Sequence, residues 1–321
     1  SKNPLLIIFN TIILSLLILI NNINIVHARS RAPAWSCYFA CLITRRNFVT
    51  TFHGTYNFKN NLKKFYNSVM LRSKITIAGS NFIFNHINQN YGKYLNRKKK
   101  LRVIFRGINI DYFSQKNISL LKQEKIKKEW ELLPNKFIIL MPGRLTYWKG
   151  QEKFIEALNI LVEDYSNFNF QAVVLGSDQG RKVYKKKLIN LVQRYRLGQK
   201  IKFIDHCKEM PLAYSLADVV VSASTEPEAF GRVSVEAQAM GKPIIASDLG
   251  GSKETILKGK SGFLYKHDDP RYLAKALNTV IELDQDALNS MGNEGRKNVT
   301  KKFDVEAMCD STLREYKKLL N

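Results

Sequence analysis

No acidic side chain occurs in this 321-residue sequence before Asp111, although 17 Lys and Arg residues precede it. The first third is therefore a cation with no internal counter-charge. The other 34 basic residues are set against all 27 acidic ones, so most of the overall net charge of +24 sits in the first third. Such asymmetry points to an anionic partner for that part: a membrane surface, a phosphorylated glycolipid or a nucleic acid. Cysteine is scarce too. Four residues exclude a disulfide scaffold at this length, and Cys37 and Cys41, one helical turn apart, have no second pair or histidine cluster to complete a zinc site. They read as reduced structural thiols of a cytosolic chain. With 45% apolar and 24% charged residues, disorder, collagen and coiled coil are excluded for the whole chain, and no internal repeat is evident.

There is one long hydrophobic run, Leu5–Ile20, interrupted only by Asn10, Thr11 and Ser15. It falls short of the roughly 20 apolar residues of a spanning helix and runs into asparagines instead of a small-residue cleavage site. A helix packed on a sheet is the expected form, with a membrane anchor or a signal peptide as alternatives. Downstream, short apolar runs recur between helical patterns: Ile25–Ala28, Phe48–His53, Ile75–Ala78 and Val103–Phe105, then Phe137–Met141, Phe170–Leu175, Ile201–Ile204, Val219–Ser222, Pro243–Ala246 and Gly262–Tyr265. Runs with so little alternation fit parallel strands covered on both faces. Helices are expected at Glu152–Glu163, Lys182–Tyr195, Val233–Met240 and Pro270–Glu282. Alternation of this kind predicts an α/β protein with two Rossmann-like, doubly wound domains, and length agrees with two.

The polar stretch 111–135 has no strand signal. The expected division is a first domain over 1–112, a linker over 113–135, a second domain over 136–300, and a final helix over 301–321 packing back on the first domain. The second block has six strand candidates, the first only four. Ligands of such sheets bind beyond the carboxyl ends of the strands, which makes the cleft between blocks the expected site.

The chemistry concentrates in Val219–Gly251, VVVSASTEPEAFGRVSVEAQAMGKPIIASDLGG. A strand gives way to a loop with Glu226, Glu228, Phe230 and Gly231, and then to a helix with Glu236 about one turn inside. Glycine at a helix start lets a ligand approach the backbone, and the free N–H groups favour a phosphate there. Glu236 can accept hydrogen bonds from both hydroxyls of a ribose, and Glu228 lies where a sugar attached to that phosphate would sit. The bland alternative makes Glu226 and Glu228 first-turn helix acids and Glu236 a surface residue. In Phe137–Gly150, FIILMPGRLTYWKG, Gly143 makes a turn at the strand end and Arg144 and Lys149 flank it. Two such cations can clamp a diphosphate, or belong to a solvated turn.

These segments carry a resemblance. GRLTYWKG, EAFGRVSVEAQAMGKPIIASDLGGSKETI and GFLY resemble the C-terminal donor domain of family 4 retaining glycosyltransferases, whose fold is GT-B. SKNP, IVHARSRAPAW, FVTTFHGTYN and VIFRGINIDYF are similar to bacterial enzymes of lipopolysaccharide core assembly. The resemblance implies transfer of a hexosyl or heptosyl group from a nucleotide-sugar donor. Glu236 would hold the donor ribose and Glu228 the transferred sugar, with Phe230 and Gly231 giving backbone N–H groups and Arg232 beside them. Arg144 and Lys149 would neutralise the leaving diphosphate in place of a metal, so no metal or other cofactor is expected. His53 matches the family histidine that faces the sugar; on chemistry alone it reads equally as structural. Asp205 is expected near the base pocket, and His27, His86, His206 and His267 receive no role. Members of the family begin with a strand and a Gly-rich turn that are not found here, so the resemblance implies an N-terminally truncated member, with an incomplete first domain.

Lys59–Arg72 places Leu62, Phe65, Tyr66, Val69 and Met70 on one helical stripe beside Lys59, Lys63 and Lys64. It reads as a core helix, with an interfacial helix on anionic lipid as the alternative. Arg97–Arg102 is a second basic cluster. Both suit a peripheral enzyme on the inner face of the cytoplasmic membrane that takes a glycolipid acceptor. A non-catalytic remnant retaining only nucleotide-sugar binding is the competing reading. Nucleic-acid binding has charge alone in its favour, without a recognisable motif, and is not expected.

Overall fold

The computed structural model describes residues 3–95, 100–165 and 169–320. It divides into a first unit, Ser1–Gly107 with Glu306–Asn321, and a second, Ile108–Val305.

The first unit runs α1 (Pro4–Ile20), β1 (Ile25–Ala28), α2 (Arg31–Thr44), β2 (Asn47–Phe52), α3 (Asn61–Asn67), β3 (Ile75–Ala78), α4 (Asn81–Tyr91) and β4 (Lys100–Val103). Its strands form one parallel sheet in the order β1-β2-β3-β4. Helix α1 starts where its sequence dictates: the Asn3 side chain accepts from the Leu5 N–H, and Pro4 occupies the first turn, where no N–H is needed. The helix packs on α2 with its polar side inward. Thr11, Ser15 and Ile18 are buried, the two hydroxyls donating to the carbonyls of Ile7 and Thr11, whereas Leu5, Ile8, Phe9, Ile12 and Leu16 are exposed. Seventeen residues at 1.5 Å each span about 25 Å; among the described residues no helix is long and apolar enough to cross a membrane.

Two expectations take a different form. Strand β4 lies earlier than Val103–Phe105, because its register is set by β3, Ile75 opposite Lys100 and Ala78 opposite Val103. As an edge strand it tolerates the charged residues that hid it. Helix α3 stops at Asn67, whose buried side chain donates to Tyr56 O and accepts from Arg31; Ser68–Leu71 continue as a 3₁₀ turn. Val69 and Met70 are therefore core, but Leu62 and Phe65 are exposed. Of the second basic cluster, Arg97, Lys98 and Lys99 lie outside the described residues.

The second unit continues with α5 (Leu120–Glu129), β5 (Phe137–Pro142), α6 (Gln151–Asp164), β6 (Phe170–Leu175), α7 (Lys182–Arg194), β7 (Ile201–Ile204), α8 (Met210–Ser215), β8 (Val219–Ser222), α9 (Arg232–Ala239), β9 (Ile244–Ser247), α10 (Ser252–Thr255), β10 (Gly262–Tyr265), α11 (Pro270–Ile281) and α12 (Gln285–Lys302). The six-stranded parallel sheet has the order β10-β9-β8-β5-β6-β7, so the direction of winding reverses between β5 and β8. Buried residues of β5, β6 and β8 join Phe154, Leu158, Leu161, Leu188 and Leu277 in one core. The expected linker holds α5, which docks on α8 through Lys122–Glu209 and Gln123–Ser215 contacts. Its leucines, Leu120 and Leu121, face solvent, which is why no apolar period announced it.

The last helix, α13 (Val305–Leu320), returns to the first unit. Tyr316 and Leu319 pack against Val49, Ile75 and Ile77, and the Leu319 carbonyl accepts from the Asn47 amide at 3.0 Å.

Gly150 has φ +77°, and a Cβ there would lie 1.9 Å from the Ala223 carbonyl oxygen; Gly180 has φ +82° and open space around it. Gly150→Ala should destabilise the second unit far more than Gly180→Ala, by about 3 kcal/mol against about 1 kcal/mol for the backbone strain alone. Thermal melts of the two variants check this; equal shifts would remove the close approach of β5 and β8 loops as the cause.

Candidate functional site

In a doubly wound sheet the crevice opens where winding reverses, beyond the carboxyl ends of the two central strands. Here these are β5, followed by Gly143 and Arg144, and β8, followed by the loop to α9. Gly150 draws the loops together, and the Thr225 N–H donates to the Trp148 carbonyl at 2.8 Å. Lys149 comes to lie over the Trp148 ring and against Gly143, where an added Cβ would meet its stem at 3.6 Å.

Lys149 Nζ sits 2.8 Å from Glu228 Oε1, with side-chain exposures of 13% and 10%. The same carboxylate oxygen accepts from Ser224 Oγ. The Glu228 backbone is fixed as well, its carbonyl accepting from the Gly251 N–H at 2.7 Å. Arg144 is exposed, with no ion-pair partner among the described residues. Helix α9 begins after Gly231, which adopts φ +88° and provides no side-chain cap. In its first turn the N–H groups of Ser234 and Val235 donate to the Gly231 carbonyl, and those of Arg232 and Val233 ahead of them occupy the positions at which a helix start can meet an anion. Phe230 is buried edge-on against Phe303 and anchors the loop.

Glu236 is 6% exposed and fully engaged: Tyr214 Oη donates to Oε2 at 2.8 Å and Arg232 Nε to Oε1 at 2.5 Å. Burial first, and Glu236 second, push the Tyr214 phenol well above its ordinary range, so it remains a donor. The hydrogen bond to Glu236 raises the Arg232 pKa further. Asp205 lies elsewhere, just past the edge strand β7 and 67% exposed on its side chain, in an ion pair with Lys185. Sequence reasoning thus named the residues that meet as pairs, Lys149 with Glu228 and Arg232 with Glu236. It missed Ser224 and Tyr214, which orient the carboxylates; Tyr214 is 22 residues from its partner, and no spacing rule links them.

His53 belongs to the first unit, where it is the first residue past β2. Its Nε2 accepts from Arg29 Nε at 3.2 Å. His27, which had no assigned role, is bonded at both ring nitrogens, to Tyr316 Oη at 2.5 Å and Thr51 Oγ1 at 2.7 Å. Burial, then Arg106, Arg29 and His27, lower the His53 pKa to about 4; burial and Arg29 bring His27 to about 4 as well. The four cysteines are free thiols, and burial, with Cys37 nearby, pushes Cys41 up to about 12. Among the described residues, no group of three or more His, Cys, Asp or Glu is arranged to hold a metal.

The family described as Glycosyl transferases group 1 matches residues 122–298, and Glycosyltransferase Family 4 matches residues 1–112. A glycosyltransferase of Rickettsia africae ESF-5 superposes with a TM-score of 0.92 at 37% identity, over 100% of this chain and 83% of that one. Anabaena HepE in complex with UDP-glucose gives a TM-score of 0.81 at 25% identity, over 92% and 79%. The capsular polysaccharide biosynthesis glycosyltransferase CapM of Staphylococcus aureus is 29% identical over 217 residues, 65% of this chain and 54% of CapM. The chain spans about half the length of the curated relatives it matches.

The histidine pair makes the first unit acid-sensitive. Unfolded, each imidazole takes a proton near its ordinary pKa of 6.5; folded, only near 4. Their contribution to stability is therefore complete above about pH 6.5 and is lost as the pH falls toward 4. Melting of the first unit should drop between pH 7 and pH 5, and His53→Gln should flatten that dependence. A pH profile identical in the variant would remove His53 as a cause.

Proposed function

The chain belongs to the group 1 glycosyl transferases, and from that premise we propose that it moves a hexosyl or heptosyl group from a nucleotide-sugar donor to a lipopolysaccharide-core or related glycolipid acceptor, retaining anomeric configuration. The observation that carries the donor half is the paired arrangement at the β5/β8 crevice: Lys149 with Glu228, and Glu236 oriented by Tyr214 and Arg232, around an uncapped helix start. The HepE structures with UDP and UDP-glucose support a nucleoside-diphosphate sugar. The acceptor class is supported by the likeness of IVHARSRAPAW and FVTTFHGTYN to lipopolysaccharide core enzymes.

In this reading Glu236 accepts both ribose hydroxyls, and Glu228 contacts the sugar. Negative charge develops on the leaving diphosphate, and preorganised positive groups lower that barrier. Arg144, Lys149 and the N–H groups at Phe230, Gly231 and Arg232 supply them, so no divalent metal takes part. A diphosphate competes with Glu228 for Lys149: donor binding releases the carboxylate toward the sugar as it neutralises the phosphate.

Calorimetry with UDP in excess chelator tests this. Wild type binds; Glu236→Ala weakens binding at least ten-fold, about 1.4 kcal/mol. Glu228→Ala binds UDP undiminished, its Lys149 being free, but loses sugar transfer. Undiminished UDP binding by Glu236→Ala refutes the ribose role, and binding that requires added magnesium or manganese refutes the metal-free assignment.

The same enzyme sits peripherally on the inner face of the anionic cytoplasmic membrane. Support comes from the acid-free first 110 residues and from the exposed apolar side chains of α1 and of Leu62 and Phe65 on α3. Attraction to anionic lipid is screened over about 8–10 Å at ordinary salt. Flotation on anionic vesicles should therefore fall as salt rises, and Lys59/Lys63/Lys64→Glu should weaken it at low salt. Absence of flotation at low salt removes the membrane claim.

A further inference from the structure

The second unit opens and closes on one short pairing. Ile108, its first residue, donates its N–H to the Phe303 carbonyl at 2.9 Å, and Val305, its last, donates to the Ile108 carbonyl at 3.0 Å. From Ile108 the chain turns without an α-helix as far as α5, yet Phe113 in this segment is only 5% exposed. Arg296 of α12 donates to the carbonyls of both Phe113 and Ala239, and Gln115 donates to the Met240 carbonyl at 2.8 Å, so the segment is tied to the C-terminal end of α9. The Phe113 ring meets the Tyr214 ring edge-on, their centroids 6.1 Å apart and their planes at 66°. Tyr214 is wholly buried, and its hydroxyl is the donor to Glu236 Oε2.

We propose that Phe113 is a positioning residue for the ribose carboxylate. A phenolic O–H lies close to the plane of its ring, so the tilt of the Tyr214 ring decides whether the proton points at Glu236. The torsion that sets this tilt is broad in tyrosine and is left to the neighbours to fix. Phe113 fixes it from one side, and Arg296 and Gln115 fix Phe113 in turn. The frame made where the two ends of the unit pair thus reaches both halves of the crevice: Phe303 meets Phe230 of the α9 loop at 5.5 Å and 74°, and Phe113 reaches Glu236 through Tyr214. This role rests on the reading of Glu236 as acceptor of the ribose hydroxyls.

Calorimetry on the full chain with UDP and with 2′,3′-dideoxy-UDP, which offers Glu236 no ribose hydroxyl, tests it. Phe113→Leu and Tyr214→Phe should each weaken UDP about five-fold, the scale of an edge-to-face ring pair. Combined, they should weaken it no more than Tyr214→Phe alone. Dideoxy-UDP should bind Phe113→Leu as it binds wild type, which also reports that the variant is folded. In the ligand-free chain the carboxyl carbon NMR signal of Glu236, assigned by its loss in Glu236→Gln, should move in Phe113→Leu toward its place in Tyr214→Phe. A loss that falls equally on both nucleotides, effects of the two changes that add in full, or an unmoved carboxyl signal overturns the positioning role. Wild type that binds both nucleotides equally, or neither, removes the ribose reading of Glu236 instead, and the carboxyl signal then decides on Phe113 alone.

Discussion

A carboxylate taken out of water has to be met by donors on its oxygens, or it takes up a proton and loses its charge. Glu228 and Glu236 are held almost entirely out of water beyond β8, and much of the second unit follows from bringing donors to both. The strand order brings the β5 loop, with Lys149, beside the β8 loop, with Ser224. Glycine at 150 permits the loops to touch, and the Gly250-Gly251 turn fastens the Glu228 backbone. Helix α8, short and otherwise unremarked, contributes the buried Tyr214 hydroxyl to Glu236. The result is a crevice whose two carboxylates are paired before any ligand arrives, so a ligand must exchange partners with them.

The sheets were legible because parallel strands covered on both faces must be apolar throughout: Val219–Ser222 and Phe170–Leu175 appear in the structure with the bounds expected of them. The paired glutamates were legible because strand, AFG loop and helix leave few arrangements open. What stayed hidden depends on contacts between distant positions or on surfaces that break the usual pattern. Tyr214 reads in sequence as one more aromatic of a short helix. Helix α5 is polar with its leucines outward, and β4 is an edge strand carrying Lys100 and Arg102. In α1 the pattern is inverted, hydroxyls inward and leucines outward, so its hydrophobicity announced a helix but not which side would be covered.

Charge organises the first unit differently. Through Gly107 it has no carboxylate, and its acids come only from α13: Glu306, Asp310 and Glu315. Glu315 lies 3.6 Å from Arg102 of the edge strand and also pairs with Lys318. The returning helix thus supplies counter-charge at the sheet edge while Tyr316 holds His27.

That return also bears on the order in which the protein is made. A chain leaves the ribosome from its N-terminus, and domains generally fold as units as they emerge. The second unit is one continuous segment and is complete once Val305 is out. The first unit begins earlier but finishes later: its sheet waits through roughly 200 residues of synthesis for Tyr316 and Leu319 to cover Val49, Ile75 and Ile77. Until then Val49, Ile75 and Ile77 lack these two side chains, and His27 lacks its tyrosine. A chain cut short within α13 would carry a finished second unit beside a first one without the contacts of Tyr316 and Leu319.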